Sequence, residues 1–351
     1  MTTAVNTNTH TPFVLENTNV YSFKSKITHK QYGICIQYPE GYLQRKEQKP
    51  LPVVYILDAQ WHFPTIGAIY GTLHHDRQMP EALIVGITWQ DGNLFEQRAH
   101  DLIPDANPKS PHSGGADVFL DCLKLELIPH IKDTYNTTEK TVLIGSSLGG
   151  IFSYYCCLTQ PNLFTDYIAF GLDSKSMNKG GKFKQAINQF NSQEINLPTR
   201  LIAGRGEWEH AFEVDDFTKE LSTISMNNFA CEFITVEKAG HALVNPQGFT
   251  ASLQKIFHQP EVALTSEQLQ KFCGSYKHIE KDETLTFYIK NNQLCTKSDP
   301  AAGWADFDRK AILTPIGESM FHILGWQKTF EFNEDHVIFT FYGQAIKFQK
   351  T

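Results

Sequence analysis

The chain has 351 residues, is 41% hydrophobic and 20% charged, and carries a formal net charge of −7. That length allows one large domain or one large and one small, the composition is that of an ordinary globular protein, and the negative balance argues against a general nucleic-acid role. No apolar run reaches the ~20 residues that span a bilayer, residues 1–19 lack the basic-then-apolar pattern of a secretory leader, and seven irregularly spaced cysteines without a C-x-x-C pair suggest neither a disulfide framework nor a zinc site. A reducing, cytoplasmic setting with no membrane partner is expected.

Residues 1–18 are expected to form a disordered or extended tail. The first structured segment, 19–39, alternates polar and apolar residues through Val20, Phe23 and Tyr32-Gly33-Ile34-Cys35-Ile36, then reaches the turn signal Pro39-Glu40-Gly41. It reads as an antiparallel strand pair. The runs 51–57 and 82–88 are continuously apolar, as strands buried on both faces should be. Asp117 to Tyr135 has helical periodicity, carried by Val118, Phe119, Cys122, Leu125, Ile128 and Ile131. A strand at 141–144 leads into an apolar helix stopped by Pro161, where Cys156 and Cys157 are expected to be buried. Strands at 167–170, 199–203 and 231–236 follow. Buried strands alternating with helices define an α/β fold with a mostly parallel sheet.

The pattern changes near residue 258. After a linker at 258–264, residues 265–351 carry one short helical turn (266–271) and then hairpin-like segments. Turn signals at 290–293, 315–317 and 333–335 separate short strands, which predicts a small antiparallel sheet or barrel. The expected organisation is therefore a catalytic-type domain at 19–257 and a small β-domain at 265–351.

One stretch carries the chemistry. Val142-Leu143-Ile144 runs into Gly145-Ser146-Ser147-Leu148-Gly149, a strand followed by a G-x-S-x-G turn and a helix. That context puts Ser147 on a strained elbow as a nucleophile. A serine hydroxyl needs a base and a group to orient that base. His241, in Gly240-His241 after the last main strand, is the candidate base. The acid is expected after strand 199–203, where Glu209 is preferred and Glu207 is second; Asp215 and Asp216 lie a little further on, and Asp173 and Glu237 are weaker rivals. The oxyanion of acyl transfer needs two backbone N–H donors, assigned to Leu148 and to Gln60 in the Asp58-Ala59-Gln60 strand exit.

The order Tyr38-Pro39-Glu40-Gly41-Tyr42, Val54-Tyr55-Ile56-Leu57-Asp58, Arg98-x-x-Asp101-x-x-Pro104, Gly145-x-Ser147-x-Gly149, Gly240-His241 resembles the esterase D-like family of α/β-hydrolases. That family includes S-formylglutathione hydrolases, siderophore esterases, feruloyl esterases and mycolyltransferases. The resemblance spans about residues 19–257 and implies the same roles for Ser147, His241, Glu209, Gln60 and Leu148. Two departures stand out. Many relatives have Ser-Pro-Ser-x-Trp where this chain has Leu172-Asp173-Ser174-Lys175-Ser176-Met177, and the strand-exit glycine is Ala59. Leu269-x-x-Phe272-x-Gly274-x-Tyr276 resembles the opening of the small lipocalin-like β-domain appended to some serine hydrolases.

Substrate-facing walls are expected from Trp61, His62, Phe63, Arg98 and Trp208, with Trp89 as a further contact. Arg98 either pairs with Asp101 to hold a loop or binds an anionic group. Lys175, Lys179, Gly180-Gly181 and Lys182 form a basic stretch, read as a solvated loop or an anionic-substrate lid. The expected reaction is hydrolysis of a small-molecule carboxylic ester through an acyl-enzyme, without metal or cofactor. Alternatives are acyl transfer to an alcohol, a siderophore-type lactone esterase, and a silent scaffold. The β-domain could cap the site or make a homo-oligomer.

Overall fold

A computed structural model describes residues 14–107, 111–172, 181–190, 192–209, 227–258, 262–298, 311–323, 328–341 and 344–351. Eight strands form one sheet: β1 (Thr18–Lys24), β2 (Gln31–Gln37), β3 (Leu51–Ile56), β4 (Leu83–Trp89), β5 (Thr137–Ser146), β6 (Asp166–Phe170), β7 (Thr199–Gly206) and β8 (Phe229–Val236). Their spatial order is β1-β2-β4-β3-β5-β6-β7-β8. β1, β2 and β4 pair antiparallel, and every pairing from β4 onward is parallel.

The apolar runs explain why this sheet has two covered faces. Val53 and Tyr55 of β3 join a core with Phe119 and Phe152, while the intervening Val54 and Ile56 are equally buried. Successive strand residues point to opposite faces, so both faces of β3 are dry. The chain leaves β3 toward β4 on one side and returns to β5 on the other. In open α/β sheets such a reversal marks the usual ligand position, outside the carboxyl ends of the strands.

Eight described α-helices accompany the strands: α1 (Ala59–His75), α2 (Leu94–Leu102), α3 (Ala116–Cys122), α4 (Ile128–Thr134), α5 (Leu148–Thr159), α6 (Lys182–Phe190), α7 (Val244–Phe257) and α8 (Ser266–Gln270). The helix expected over 117–135 is interrupted by a π-helical turn at Leu123–Leu127. Pro129 lies two residues later, in the first turn of α4. Its ring cannot donate a hydrogen bond and crowds the carbonyl of Leu125, so the preceding turn widens. Residues 94–102, to which the sequence pattern assigns no element, are α2, started by Asn93, whose side chain accepts from the Phe95 and Glu96 amides.

The C-terminal strands β9 (Gly274–His278), β10 (Thr284–Lys290), β11 (Gln293–Ser298), β12 (Ala311–Pro315), β13 (Met320–His322), β14 (Lys328–Phe332), β15 (His336–Phe341) and β16 (Gln344–Lys350) form a closed antiparallel barrel. β16 closes on β9 through pairs such as Phe348 with His278. Tyr276, Phe287, Phe321, Phe330, Phe332, Phe339 and Phe348 fill its interior together with Leu269 of α8. Closure leaves no open strand edge. A capping box at Thr265 and Gln268 fixes the start of α8.

By its internal contacts the chain divides into two compact units. One holds residues up to Ala68 together with Glu81–Ser252, and the other holds Ile69–Pro80 and residues from Leu253 onward.

Candidate active site

Ser147 joins β5 to α5 with φ 55° and ψ −122°. A non-glycine residue there stores roughly 1–3 kcal/mol of backbone strain, which the surroundings must hold in place. Two features do so. The Ser147 amide donates to the Phe170 carbonyl at 3.0 Å, and the Ser147 carbonyl accepts from Ile151. The turn is also tight: a Cβ at Gly145 would lie 1.9 Å from the Gly149 carbonyl oxygen, so only glycine fits. Ser147 itself is partly exposed.

His241 and Glu209 meet beside this elbow. The His241 Nδ1 lies 2.6 Å from Glu209 Oε1, and Glu209 Oε2 accepts from the Gly206 amide at 2.7 Å. Gly171 follows Phe170, the acceptor for Ser147, and has φ +57°. A Cβ there would sit 3.3 Å from the His241 ring and 3.4 Å from Glu209 Oε1. Thus the strand end that anchors the Ser147 backbone also contacts the imidazole–carboxylate pair. Arg205 clasps the acid-bearing turn from outside, donating to the carbonyls of Gly206, Glu207 and Glu209.

Burial alone would raise the Glu209 pKa. The hydrogen bonds from His241 and the Gly206 amide, with the charges of His241 and Arg205, more than offset it, and the carboxyl is held below its ordinary range. The stabilisation from its ionised form is complete above the unfolded value of about 4.3 and is lost only as pH falls through the lowered folded value. Glu207, the second sequence candidate, is exposed and accepts from the Lys238 amide at 2.7 Å. Glu209→Gln is therefore expected to lower turnover by about 10³–10⁴-fold, as loss of the orienting acid does elsewhere, with Glu207→Gln near wild type. Initial rates on p-nitrophenyl butyrate check this, and the reverse ranking contradicts it.

The amides of Leu148 and Gln60 lie in the first turns of α5 and α1, where no intrahelical acceptor exists. The two turns adjoin: a Cβ on Gly149 would meet Asp58 Oδ2 at 3.0 Å and the Leu57 Cβ at 3.3 Å. Asp58 is fully buried, has φ 56°, and its carbonyl accepts from Trp61 and His62. Its carboxylate receives Arg98 Nε at 2.5 Å and Nη2 at 2.8 Å.

This corrects the Arg98–Asp101 pair expected from sequence. Arg98 is committed to Asp58. Asp101 accepts instead from Lys30 Nζ at 2.5 Å, the Tyr32 hydroxyl at 2.9 Å and Trp89 Nε1 at 2.8 Å, with His100 Nδ1 at 2.8 Å. Trp89 is consequently a buried donor to Asp101 and offers no free face. Phe63 is also a core residue, packed against the backbone of β4 at Gly86.

Trp61 is exposed, stacks in a tilted arrangement on the exposed Phe95 at 5.9 Å, and lies 5.3 Å under the Arg98 guanidinium. His62 packs edge-on against Phe249 at 5.7 Å. Burial pushes its pKa down; Asp58 opposes this, while Arg98 and His241 add to it. His62 therefore lies close to Asp58, Arg98 and His241. Trp208 is exposed and lies against Gly240, beside His241. Lys182 is tied to Asp117 at 2.5 Å, and its amide to Asp105. Asp173, Lys175, Lys179, Gly180, Asp215 and Asp216 lie outside the described residues. Among the described residues, no group of three or more His, Cys, Asp or Glu side chains could hold a metal ion. None of their helices is long and apolar enough to cross a membrane. All seven cysteines are free thiols, and Cys156 and Cys157 are fully buried.

Two arrangements escaped sequence reasoning: the Asp58–Arg98 pair, and a hydrogen bond from the Ser146 hydroxyl to Asn245 Oδ1. The first left a weak signal in the charged residue at a buried strand exit. The second left none.

A serine elbow at the carboxyl end of a parallel strand, in a sheet of this order, defines an α/β-hydrolase. Residues 25–230 match the family model described as "Putative esterase", and the chain belongs to that family. It is a hydrolase acting on ester bonds. A curated relative, the ferri-bacillibactin esterase BesA of Bacillus subtilis, is 29% identical over 73% of this chain and 95% of its own length. The crystal structure of the BES protein from Bacillus cereus superposes with a TM-score of 0.61 at 23% identity, covering 71% of this chain and 98% of that one. An IroE-like serine hydrolase from Shewanella oneidensis gives a TM-score of 0.61 at 22% identity, covering 72% and 84%.

Proposed function

We propose that Ser147, His241 and Glu209 are the nucleophile, base and orienting acid of a serine esterase, with the Leu148 and Gln60 amides as oxyanion donors. The observation that carries this reading is the 2.6 Å His241–Glu209 bond beside the strained elbow. With Nδ1–H donated to Glu209, the other imidazole nitrogen is left as the base that takes the Ser147 proton. Ser147 then attacks the ester carbonyl, the alcohol departs with that proton, and water activated by His241 releases the acid. Hydrolysis is favoured over acyl transfer because the His241 side chain is 58% exposed, so water reaches the base directly. The catalytic domain is taken as residues 19–257 and the β-domain as 265–351, and the free thiols support a cytoplasmic setting.

The substrate we favour is an ester-linked siderophore, by likeness to the ferri-bacillibactin esterase of B. subtilis. The exposed rings of Trp61, Phe95 and Trp208 supply flat apolar contacts near the site. Turnover of ferri-bacillibactin and of p-nitrophenyl butyrate, followed by mass spectrometry and absorbance, tests the choice. A kcat/KM for the siderophore at least about 100-fold higher, roughly 2.7 kcal/mol of added transition-state binding, is expected. Equal or reversed values would contradict it.

A further inference from the structure

His241 and Ser147 stand on different segments of the chain and must be held at a fixed separation. His241 sits in an exposed stretch: residues 241–243 are all solvent-facing. On the acid side this loop is well fastened. The Trp208 amide donates to the Ala239 carbonyl, the Glu207 amide to Val236, and the Lys238 amide to the Glu207 carboxylate. These contacts fix His241 relative to Glu209, and the Phe170–Gly171 strand end links that pair to the Ser147 backbone.

The bond from Ser146 to Asn245 makes a second, side-chain link between the Ser147 elbow and the His241 loop. Ser146 is the last residue of β5, directly before Ser147, and is 1% exposed. Asn245 lies in the first turn of α7, four residues after His241, and is 9% exposed. The Ser146 hydroxyl donates to Asn245 Oδ1 at 2.6 Å, across 99 positions of sequence. The Asn245 end is itself rigidly joined to the histidine loop: the Val244 amide donates to Gly240 and the Asn245 amide to Ala242. We propose that Ser146 and Asn245 are positioning residues, a buried latch that sets the distance and angle between His241 and Ser147. This rests on the reading of those two as base and nucleophile.

A buried polar bond of this kind is costly to break on one side, because the stranded acceptor has no water to turn to. Both side chains are buried, so the effect should fall on the chemical step rather than on substrate binding. Misplacement of a reacting group by about 1 Å can cost about 100-fold in rate.

The test uses the full chain and the variants Ser146→Ala, Asn245→Ala, their double, and Ser146→Thr, which keeps the hydroxyl. Active sites are counted by burst titration with a fluorophosphonate, so unfolded protein does not enter kcat. Each single alanine variant should lower kcat on p-nitrophenyl butyrate by about 10–100-fold with KM changed by no more than about twofold. The double should be no slower than the slower single, and Ser146→Thr should recover most of the loss. A role in stability alone would lower the melting temperature and leave kcat per titrated site unchanged; that outcome, or losses that multiply in the double, overturns the latch. Ser147→Ala is measured alongside. If it is inactive while the latch variants are wild type, only the latch falls. If it retains turnover, the nucleophile reading falls and the latch with it.

Discussion

Replacing Ser147 with alanine is expected to lower ester turnover by about 10⁶-fold, the scale seen when a serine hydrolase loses its nucleophile. The residual rate, about 10³–10⁴ above water, would come from the oxyanion donors and binding. The fold should not suffer. Ser147 holds φ 55°, a conformation that glycine adopts freely, so Ser147→Gly should gain about 1 kcal/mol of stability once the added chain entropy is subtracted. Activity and stability should thus move in opposite directions at this one position. Kinetics and calorimetry on the two variants check both halves. Loss of stability with glycine would mean that the elbow is not strained.

The second large effect is on stability. Asp58 is fully buried and its partner Arg98 is 11% exposed, with two hydrogen bonds between them. Arg98→Met strands a carboxylate in a dry environment, and breaking such a pair typically costs about 3–5 kcal/mol. Each kcal/mol is worth roughly 2–4 °C in melting temperature for a domain of this size. Removing both charges, in Asp58→Asn with Arg98→Met, should recover much of that loss, because a well-packed neutral pair replaces the ion pair at little cost. Thermal melts of the single and double variants decide it. A double variant less stable than Arg98→Met would contradict the account.

The parts of the molecule legible in the sequence are those with a local physical signature. The elbow is one, because Gly145 and Gly149 must be small where strand and helix backbones nearly touch. The strands at 51–56 and 83–89 are others, since burial on both faces demands an unbroken apolar run. The barrel hairpins were marked by Asn291-Asn292 and Asn333-Glu334-Asp335, residues that tolerate turn backbones.

What was not legible depends on partners distant in sequence. Asp58 and Arg98 are 40 positions apart, and nothing near Arg98 excluded the nearer Asp101. Asp101 is taken by Lys30 and Tyr32 at the start of β2 and by Trp89 at the end of β4. Helix α1 was hidden because Pro64, Gly67 and Gly71 depress helix propensity within it, and this concealed that Phe63 turns into the core while Trp61 faces solvent. The choice between Glu207 and Glu209 likewise turns on which carboxylate the folded turn directs at His241. Two residues along the chain separate an amide-capping carboxylate from one bonded to the imidazole.

The central claim is that catalysis passes through a covalent bond to Ser147. Peptide mass spectrometry of enzyme treated with a fluorophosphonate, and of enzyme acid-quenched during turnover of p-nitrophenyl butyrate, tests it most directly. The account predicts a single phosphonyl or butyryl adduct, on Ser147, formed at least about 100-fold more slowly in His241→Ala because an unassisted serine hydroxyl is a poor nucleophile. An adduct on a different residue, or full turnover by protein whose Ser147 is never modified, would contradict it.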